Sequence, residues 1–234
     1  MVNASQVRIG ELNAHLAQPE GDSRGGMLLL PMIDGIGARV RTFAEDIANA
    51  GVTTLCWDVF HGASSDTHTH EDLFAMLAQL DDATAIGEQR ALLEYLFGEL
   101  GLRKVGVIGY CLGGRFALLL GAADQRVANV IAYHPTVPLE PAPNHSLDPF
   151  TEARRIGAPA MVHYPGQDTL VPRESFERLR EGLESRTEAD TITHLYPLAE
   201  HGFSNNTRHE NPVNLVAYER SWPQTLEFIK QTVL

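Results

Sequence analysis

Short apolar segments alternate with longer amphipathic segments along most of this chain. Each apolar segment is bounded by Gly, Pro or Asp, which is typical of a buried β-strand. The predicted strands cover residues 27–30, 52–57, 104–109, 127–132, 160–164 and 191–196. Near the start of the chain, residues 7–17 alternate between apolar and polar positions, which predicts an antiparallel edge strand or part of a hairpin.

The amphipathic segments between these strands have the spacing of surface helices. The predicted helices cover residues 39–50, 82–100, 112–123, 172–183 and 213–232. Gly51 and Gly101 follow two of them, where a glycine commonly ends a helix. Pro223 lies inside the last one and predicts a kink or a break there. Such alternation predicts a single α/β domain over residues 1–234, with a mostly parallel sheet covered by helices on both faces.

The charge and the cysteine content narrow the class of protein. With 18 basic against 30 acidic residues the net charge is −12, and no basic face is clustered as a nucleic-acid partner would require. No apolar stretch approaches the roughly 20 residues that span a bilayer, and the first residues do not resemble a signal peptide. Cys56 and Cys111 are too few for a disulfide framework. We therefore expect a cytoplasmic protein without a membrane partner, and no feature of the sequence predicts its oligomeric state.

The strongest chemical signal lies where the predicted strand 104–109 runs directly into the helix 112–123. The sequence there is Gly-Tyr-Cys-Leu-Gly-Gly (109–114), the pattern of a nucleophile elbow with a cysteine in the place of serine. Glycines two residues either side of Cys111 allow the strand and the helix to approach closely. A helix N-terminus also stabilises a thiolate. This pattern alone leaves open a structural cysteine on a tight turn.

An acid and a histidine follow in the order that a nucleophile elbow requires. Asp168 lies in a turn after the predicted strand 160–164, and His201 lies in a loop after 191–196. Because the carboxyl ends of parallel strands meet at one edge of the sheet, we expect Cys111, Asp168 and His201 to lie together there. In acyl-transfer chemistry Cys111 is then the nucleophile, His201 the acid–base and Asp168 the group that orients the imidazole.

An oxyanion hole needs two N–H donors near the nucleophile. The first candidate is the backbone N–H of Leu112, and the second is that of Ile33 in the loop after the strand 27–30. Tyr110 and Phe203 flank catalytic positions, and each could equally line a substrate pocket or belong to the core.

With these motifs, the sequence resembles the dienelactone hydrolase family over most of its length. The resemblance is carried by the elbow, Arg41, Tyr218 and Trp222, together with Asp-Gly-Ile-Gly (34–37), Trp-Asp-Val-Phe (57–60), Pro-Gly-Gln-Asp (165–168) and His-Gly-Phe-Ser-Asn (201–205). It implies an α/β-hydrolase fold, a Cys–His–Asp triad, no metal or other cofactor, and hydrolysis of an enol lactone, the carboxymethylenebutenolidase reaction. The expected partner is thus a small-molecule ester or lactone.

Two positions depart from what the resemblance implies. Family members carry a glutamate in the first loop that holds the resting thiol, whereas Met32 stands there in this chain and Asp34 follows two residues on. We therefore expect Cys111 to be governed mainly by His201, with a persistently ionised thiol, and Met32 to contact the substrate. The resemblance also implies substrate-binding arginines, and neither Arg115, one helical turn after Cys111, nor Arg208, seven residues after His201, is assigned to that role from the sequence.

Other residues allow competing interpretations. His68 and His70 could bind a metal if their segment were extended, although a solvated loop with a helix beginning near Asp72 explains them as well. His134 is expected to be a loop or pocket-wall residue, with a second base as the alternative. Asp58, Cys56 and His163 are expected to be structural.

Three other functions compete with lactone hydrolysis. They are hydrolysis of a thioester or another small ester, a catalytically silent binding protein, and a redox-sensing cysteine protein. The presence of all three triad candidates argues against a silent protein, and a buried Cys56 would be a poor resolving thiol.

Overall fold

The computed structural model describes residues 2–234, and its eight strands form one sheet. The strands are β1 (Asn3–Ile9), β2 (Leu12–Gln18), β3 (Gly25–Leu30), β4 (Thr53–Trp57), β5 (Lys104–Tyr110), β6 (Val127–Tyr133), β7 (Ala160–Pro165) and β8 (Thr191–Tyr196). Their order across the sheet is β1-β2-β4-β3-β5-β6-β7-β8. The six strands from β3 to β8 are parallel, while β1 and β2 form an antiparallel hairpin that joins β4. The predicted α/β-hydrolase architecture and the predicted hairpin are both confirmed.

In the described residues, seven α-helices connect and cover these strands. They are α1 (Ala38–Asn49), α2 (His70–Leu77), α3 (Asp82–Glu94), α4 (Leu112–Ala123), α5 (Pro149–Glu152), α6 (Arg173–Glu184) and α7 (Pro212–Val233). The helix predicted over 82–100 consists of α3 and a π-helical turn, Tyr95–Glu99, before Gly101. α2 begins with a capping box between Thr69 and Asp72, so the helix expected near Asp72 starts at His70, directly after its cap.

The sheet separates two apolar cores because successive side chains of a strand point to opposite faces. In β3, Leu28 and Leu30 pack into the core shared with α3, α4 and α6. Met27 and Leu29, which alternate with them along the strand, pack into the core shared with α1 and α7. Helices therefore cover both faces, as the near-continuous apolar character of the central strands predicts.

Two elements differ in detail from what the sequence predicts. α7 passes through Pro223 without a break, and both Glu219 and Pro223 are exposed, so water can solvate the carbonyl that Pro223 leaves unpaired. β8 was expected to be buried but is only partly so, because it pairs with β7 alone and forms the edge of the sheet.

Within residues 2–234, no helix combines the length and the apolar character needed to cross a bilayer.

Candidate active site

Cys111 occupies a sharp turn between β5 and α4. Its backbone has φ 54° and ψ −115°, a left-handed conformation that is strained for any residue other than glycine. A Cβ on Gly109 would collide with the carbonyl of Gly113, and a Cβ on Gly113 would collide with the carbonyl of Leu30. The two glycines are therefore required by the close approach of β3, β5 and α4, as the elbow pattern predicts.

The structure brings Cys111, His201 and Asp168 into one hydrogen-bonded chain. The Cys111 Sγ lies 3.2 Å from His201 Nε2, and His201 Nδ1 donates to Asp168 Oδ2 at 2.8 Å. The other carboxylate oxygen of Asp168 accepts the backbone N–H groups of Leu170 and Val171 at 2.8 and 2.9 Å. The Asp168 side chain is only 1% exposed, so its orientation toward His201 is fixed.

These contacts favour an ion pair between the thiol and the imidazole. Burial alone would raise the pKa of the Cys111 thiol, but hydrogen bonds and positive charge from His201 outweigh it and bring that pKa below its ordinary value. Burial likewise opposes a charged His201, yet its hydrogen bonds to Asp168 and Cys111 raise the pKa of His201 to about 10. Between these two pKa values the pair exists as thiolate and imidazolium.

Thr136 is a second partner of the thiol that the sequence did not reveal. Its Oγ1 lies 3.2 Å from Cys111 Sγ, and its backbone N–H donates to the Cys111 carbonyl at 3.0 Å. The Thr136 hydroxyl also contributes to lowering the pKa of Cys111. A threonine in the irregular loop after β6 has no sequence signal, because its contact with the thiol depends on how that loop folds back.

A cavity of about 700 Å³ opens beside the thiol. Its wall includes Cys111, His201 and His134, and also Met32 and Ile33 from the loop after β3. The remaining lining residues are mostly polar: Asp34, Ser65, His68, His70, Gly202, Asn205, Thr207 and Arg208.

The two predicted oxyanion donors belong to segments next to the thiol. Leu112 is the first residue of α4, where a backbone N–H has no partner within the helix, and that N–H lies close enough to Cys111 to lower the thiol pKa. Ile33 lines the cavity next to the thiol. Both positions are compatible with an oxyanion hole.

Asp34 does not replace the missing loop carboxylate as a partner of the thiol. Its Oδ1 accepts from His70 Nε2 at 2.9 Å, and its Oδ2 accepts from Asn205 Nδ2 at 3.1 Å. Asn205 also contacts the Met32 sulfur at 3.4 Å. Asp34 thus ties α2 to the loop that carries His201, while Cys111 is left to His201 and Thr136.

The loop that carries His201 is anchored by Arg39, another residue that the sequence did not single out. The Arg39 guanidinium lies over the rings of Phe43 and Tyr218 and donates two hydrogen bonds to the Ser204 carbonyl. The Ser204 hydroxyl in turn bonds His134 Nε2 at 2.8 Å. His134 packs edge-on against His201, and burial holds its pKa well below its usual range, so it stays neutral.

Tyr110 and Phe203 belong to the core, so the prediction that they contact the substrate is wrong. Neither is exposed, and neither lines the cavity. Tyr110 stacks on Phe43 with ring centroids 4.4 Å apart, and Phe203 packs against Tyr133 and Tyr196. Both side chains lie in the core shared with α1 and α7.

The histidine-rich loop does not assemble a metal site. His70 is the first residue of α2 and bonds Asp34, whereas His68 bonds the neighbouring Thr67. Across the part of the chain that the structure describes, no three His, Cys, Asp or Glu side chains converge into a set that could hold a metal. Cys56 is fully buried, and burial raises the pKa of its thiol far above the ordinary value.

We expect alkylation of Cys111 by iodoacetamide to have its pH midpoint below that of an ordinary cysteine, about 8.5. The reactive thiolate disappears as the pH falls through the lowered pKa, so the rate should fall on the acid side of that midpoint. His201→Ala removes the stabilising charge and should move the midpoint upward. Measuring the rate by mass spectrometry in a Cys56→Ala background isolates Cys111. A wild-type midpoint at or above that of a free cysteine would contradict the ion pair.

Known proteins resemble this chain over nearly its whole length. The sequence model described as the dienelactone hydrolase family matches residues 12–233. A carboxymethylenebutenolidase of Rhodococcus opacus is 29% identical and covers 92% of this chain and 84% of its own. A carboxymethylenebutenolidase of Pseudomonas putida is 27% identical, covering 74% and 72%. A structure from Klebsiella pneumoniae with a provisional assignment as a dienelactone hydrolase shares the fold, with a TM-score of 0.83 over 99% of both chains at 20% identity.

Proposed function

Because the chain belongs to the dienelactone hydrolase family, we propose that it hydrolyses a carboxylic ester or lactone through a Cys111–His201–Asp168 triad and a covalent acyl-enzyme. The observation that carries this proposal is the continuous thiol–imidazole–carboxylate chain, with contacts of 3.2 and 2.8 Å at the wall of an open cavity. A cytoplasmic location, expected from the two unpaired cysteines, stays a prediction.

Acylation follows from the positions of the three side chains. The Cys111 thiolate attacks the substrate carbonyl carbon, and a C–S bond forms as the carbonyl π electrons move to oxygen. The N–H groups of Leu112 and Ile33 are the proposed donors to that oxyanion. When the intermediate collapses, the C–O bond breaks and the leaving alkoxide or enolate takes the proton on His201 Nε2. A lactone opens in the same step, and its leaving oxygen stays in the acyl group.

Deacylation reverses the proton path with water in place of the alcohol. His201, now neutral, takes a proton from a water molecule that attacks the thioester carbonyl. Collapse of the second intermediate breaks the C–S bond, releases the carboxylic acid and restores the thiolate–imidazolium pair. The hydrogen bond that His201 Nδ1 donates to Asp168 keeps Nε2 directed at the sulfur.

The family's dienelactone substrate is one candidate, and a thioester or another small ester is the alternative. Met32 at the cavity wall supplies no carboxylate to hold the thiol, which supports a substrate other than dienelactone. Comparing kcat/KM for cis- and trans-dienelactone with that for p-nitrophenyl acetate separates the two cases. A ratio strongly in favour of the lactones would assign the carboxymethylenebutenolidase reaction.

We expect p-nitrophenyl acetate to give a burst of p-nitrophenolate, followed by a slower steady rate as the acyl-enzyme hydrolyses. Acid quenching during the burst should trap one acetyl group on the peptide that contains Cys111, detectable by mass spectrometry. Protein first alkylated at Cys111 with iodoacetamide is the matched control and should give neither burst nor adduct. Turnover with the acetyl group on another residue would contradict the triad, and no turnover of any ester would contradict the proposed function.

A further inference from the structure

A second cavity, of about 400 Å³, lies between α2, the start of α4 and the loop after β6. Its wall is largely apolar and includes Phe74, Leu77, Leu80, Leu112, Phe116 and Pro138. Phe74 is 57% exposed on α2, so the cavity opens to solvent past a large hydrophobic side chain. Binding of an apolar ligand group in an open apolar cavity of this kind is favourable, because it removes apolar surface from water.

Two residues that adjoin the reacting atoms line this cavity, whereas Cys111 itself lines the 700 Å³ cavity. Thr136 lines the smaller cavity, and the Thr136 hydroxyl lies 3.2 Å from Cys111 Sγ. Leu112, whose N–H is a proposed oxyanion donor, lines it as well. His201 lines the 700 Å³ cavity but not this one. The 700 Å³ cavity therefore opens onto the nucleophile beside His201, and the smaller cavity adjoins the nucleophile through Thr136 and Leu112.

This arrangement separates the two halves of an ester. The leaving oxygen must meet the proton on His201 Nε2, so the leaving group occupies the 700 Å³ cavity that His201 lines. The acyl remainder bonded to the same carbonyl carbon then extends toward Thr136 and Leu112. The chemistry thus directs the acyl chain to the apolar cavity.

The charged group at the apolar cavity is already neutralised. Arg115 lines the cavity, but its side chain is only 3% exposed and its guanidinium makes two hydrogen bonds to Asp82, at 2.6 and 2.9 Å. Its Nη2 also donates to the Leu147 carbonyl. Arg115 Nε has no hydrogen-bond partner, so the guanidinium keeps one donor that a carboxylated acyl chain could use. The apolar lining and the existing ion pair favour an uncharged chain.

We propose that the cavity between α2 and α4 binds the acyl chain, and that the preferred substrates are esters with an uncharged aliphatic acyl group longer than acetyl. This inference rests on the proposed function, since it places the acyl group by the position of His201. It assigns Leu77, Ala78 and Phe116 a role in acyl-chain specificity.

We expect kcat/KM for p-nitrophenyl esters to rise from acetate through butyrate to hexanoate, by about fourfold for each methylene that the cavity buries. Ala78→Trp should remove this rise, so that its loss of kcat/KM grows from acetate to hexanoate, because the indole would fill the cavity that Ala78 lines. Ala75→Trp is the matched control, since Ala75 is exposed on the same helix and outside the cavity. A flat or falling series in the wild type, or equal losses for acetate and hexanoate in Ala78→Trp, would overturn the assignment.

Two further measurements separate the possible failures. The hemisuccinate ester carries a carboxylate on a chain as long as butyrate, and its preference over butyrate would overturn the inference in favour of an acidic chain at Arg115. Binding of hexanamide and acetamide to Cys111→Ala, measured by calorimetry, tests the cavity without turnover, and we expect hexanamide to bind at least about tenfold more tightly. Tight hexanamide binding by an enzyme that hydrolyses no ester would contradict the proposed function and not the cavity. Acetate hydrolysis with equal amide binding would contradict the cavity assignment alone.

Discussion

Replacing Cys111 by alanine is expected to lower kcat/KM for p-nitrophenyl acetate by at least about 10⁴-fold. The methyl group cannot attack a carbonyl, and the imidazole of His201 loses the sulfur that it contacts at 3.2 Å. Any residual rate would come from binding and the oxyanion donors alone. Steady-state kinetics on a folded variant, verified by an unchanged circular dichroism spectrum, measures the loss.

Cys56→Ala is the matched control for this substitution. Cys56 lies in β4, is fully buried, and has a thiol whose pKa burial raises, so it cannot supply a reactive thiolate. Activity close to that of the wild type is expected when it is removed. If Cys111→Ala retained wild-type activity, or Cys56→Ala lost it, the nucleophile would have to be sought elsewhere.

The three proposed triad residues could be located from sequence because each depends on a simple structural rule. Cys111, Asp168 and His201 each follow a separate apolar strand, and parallel strands present their carboxyl ends at one edge. Gly109 and Gly113 made the position of the nucleophile easier to recognise, because a Cβ at either residue would collide with the backbone. Because β5, β7 and β8 all lie in one sheet, their pairing brings the three residues to the same edge.

The contacts of irregular loops could not be predicted in the same way. Thr136 reaches the thiol from the loop after β6, and Asp34 meets His70 and Asn205 across three segments that are distant in sequence. No periodic pattern encodes such contacts, because they depend on the path of each loop over its neighbours. Pro223 failed as a helix breaker for a related reason, since tertiary packing of Trp222 and Ile229 against the sheet holds α7 together around it.

Arg115 and Asp82 form the interaction whose removal should cost the most stability. Asp82, in the first turn of α3, accepts two hydrogen bonds from Arg115 and the backbone N–H groups of Ser146 and Leu147, at 2.8 Å each. It therefore joins α3 and α4 to the loop after β6, beside the apolar cavity. Its side chain is 1% exposed and that of Arg115 is 3% exposed. Loss of the carboxylate would leave a buried positive charge without its partner.

Asp82→Ala is expected to lower the free energy of unfolding by roughly 3–5 kcal/mol. For a chain of this size that corresponds to a fall in Tm on the order of 10 °C. Glu177→Ala is the control, because the Arg173–Glu177 pair is exposed and contributes about 1 kcal/mol or less. The double variant Asp82→Ala, Arg115→Met should recover part of the loss, since it removes the uncompensated charge as well. Equal Tm values for Asp82→Ala and Glu177→Ala would show that water reaches Arg115 and replaces the carboxylate.

The same pair predicts how this stability difference depends on pH. Burial acts to raise the pKa of Asp82, but hydrogen bonds from Arg115, Leu147 and Ser146 outweigh it and hold that pKa below its ordinary value. A carboxyl with a lowered folded-state pKa stabilises the protein fully above its unfolded pKa, about 3.9, and loses that contribution as the pH falls through the folded value. The gap in Tm between the wild type and Asp82→Ala should therefore be constant from neutral pH down to about pH 5 and shrink in stronger acid. A gap that widened on acidification would mean that Asp82 stabilises the fold in its protonated form, and the assignment of an ion pair would be wrong.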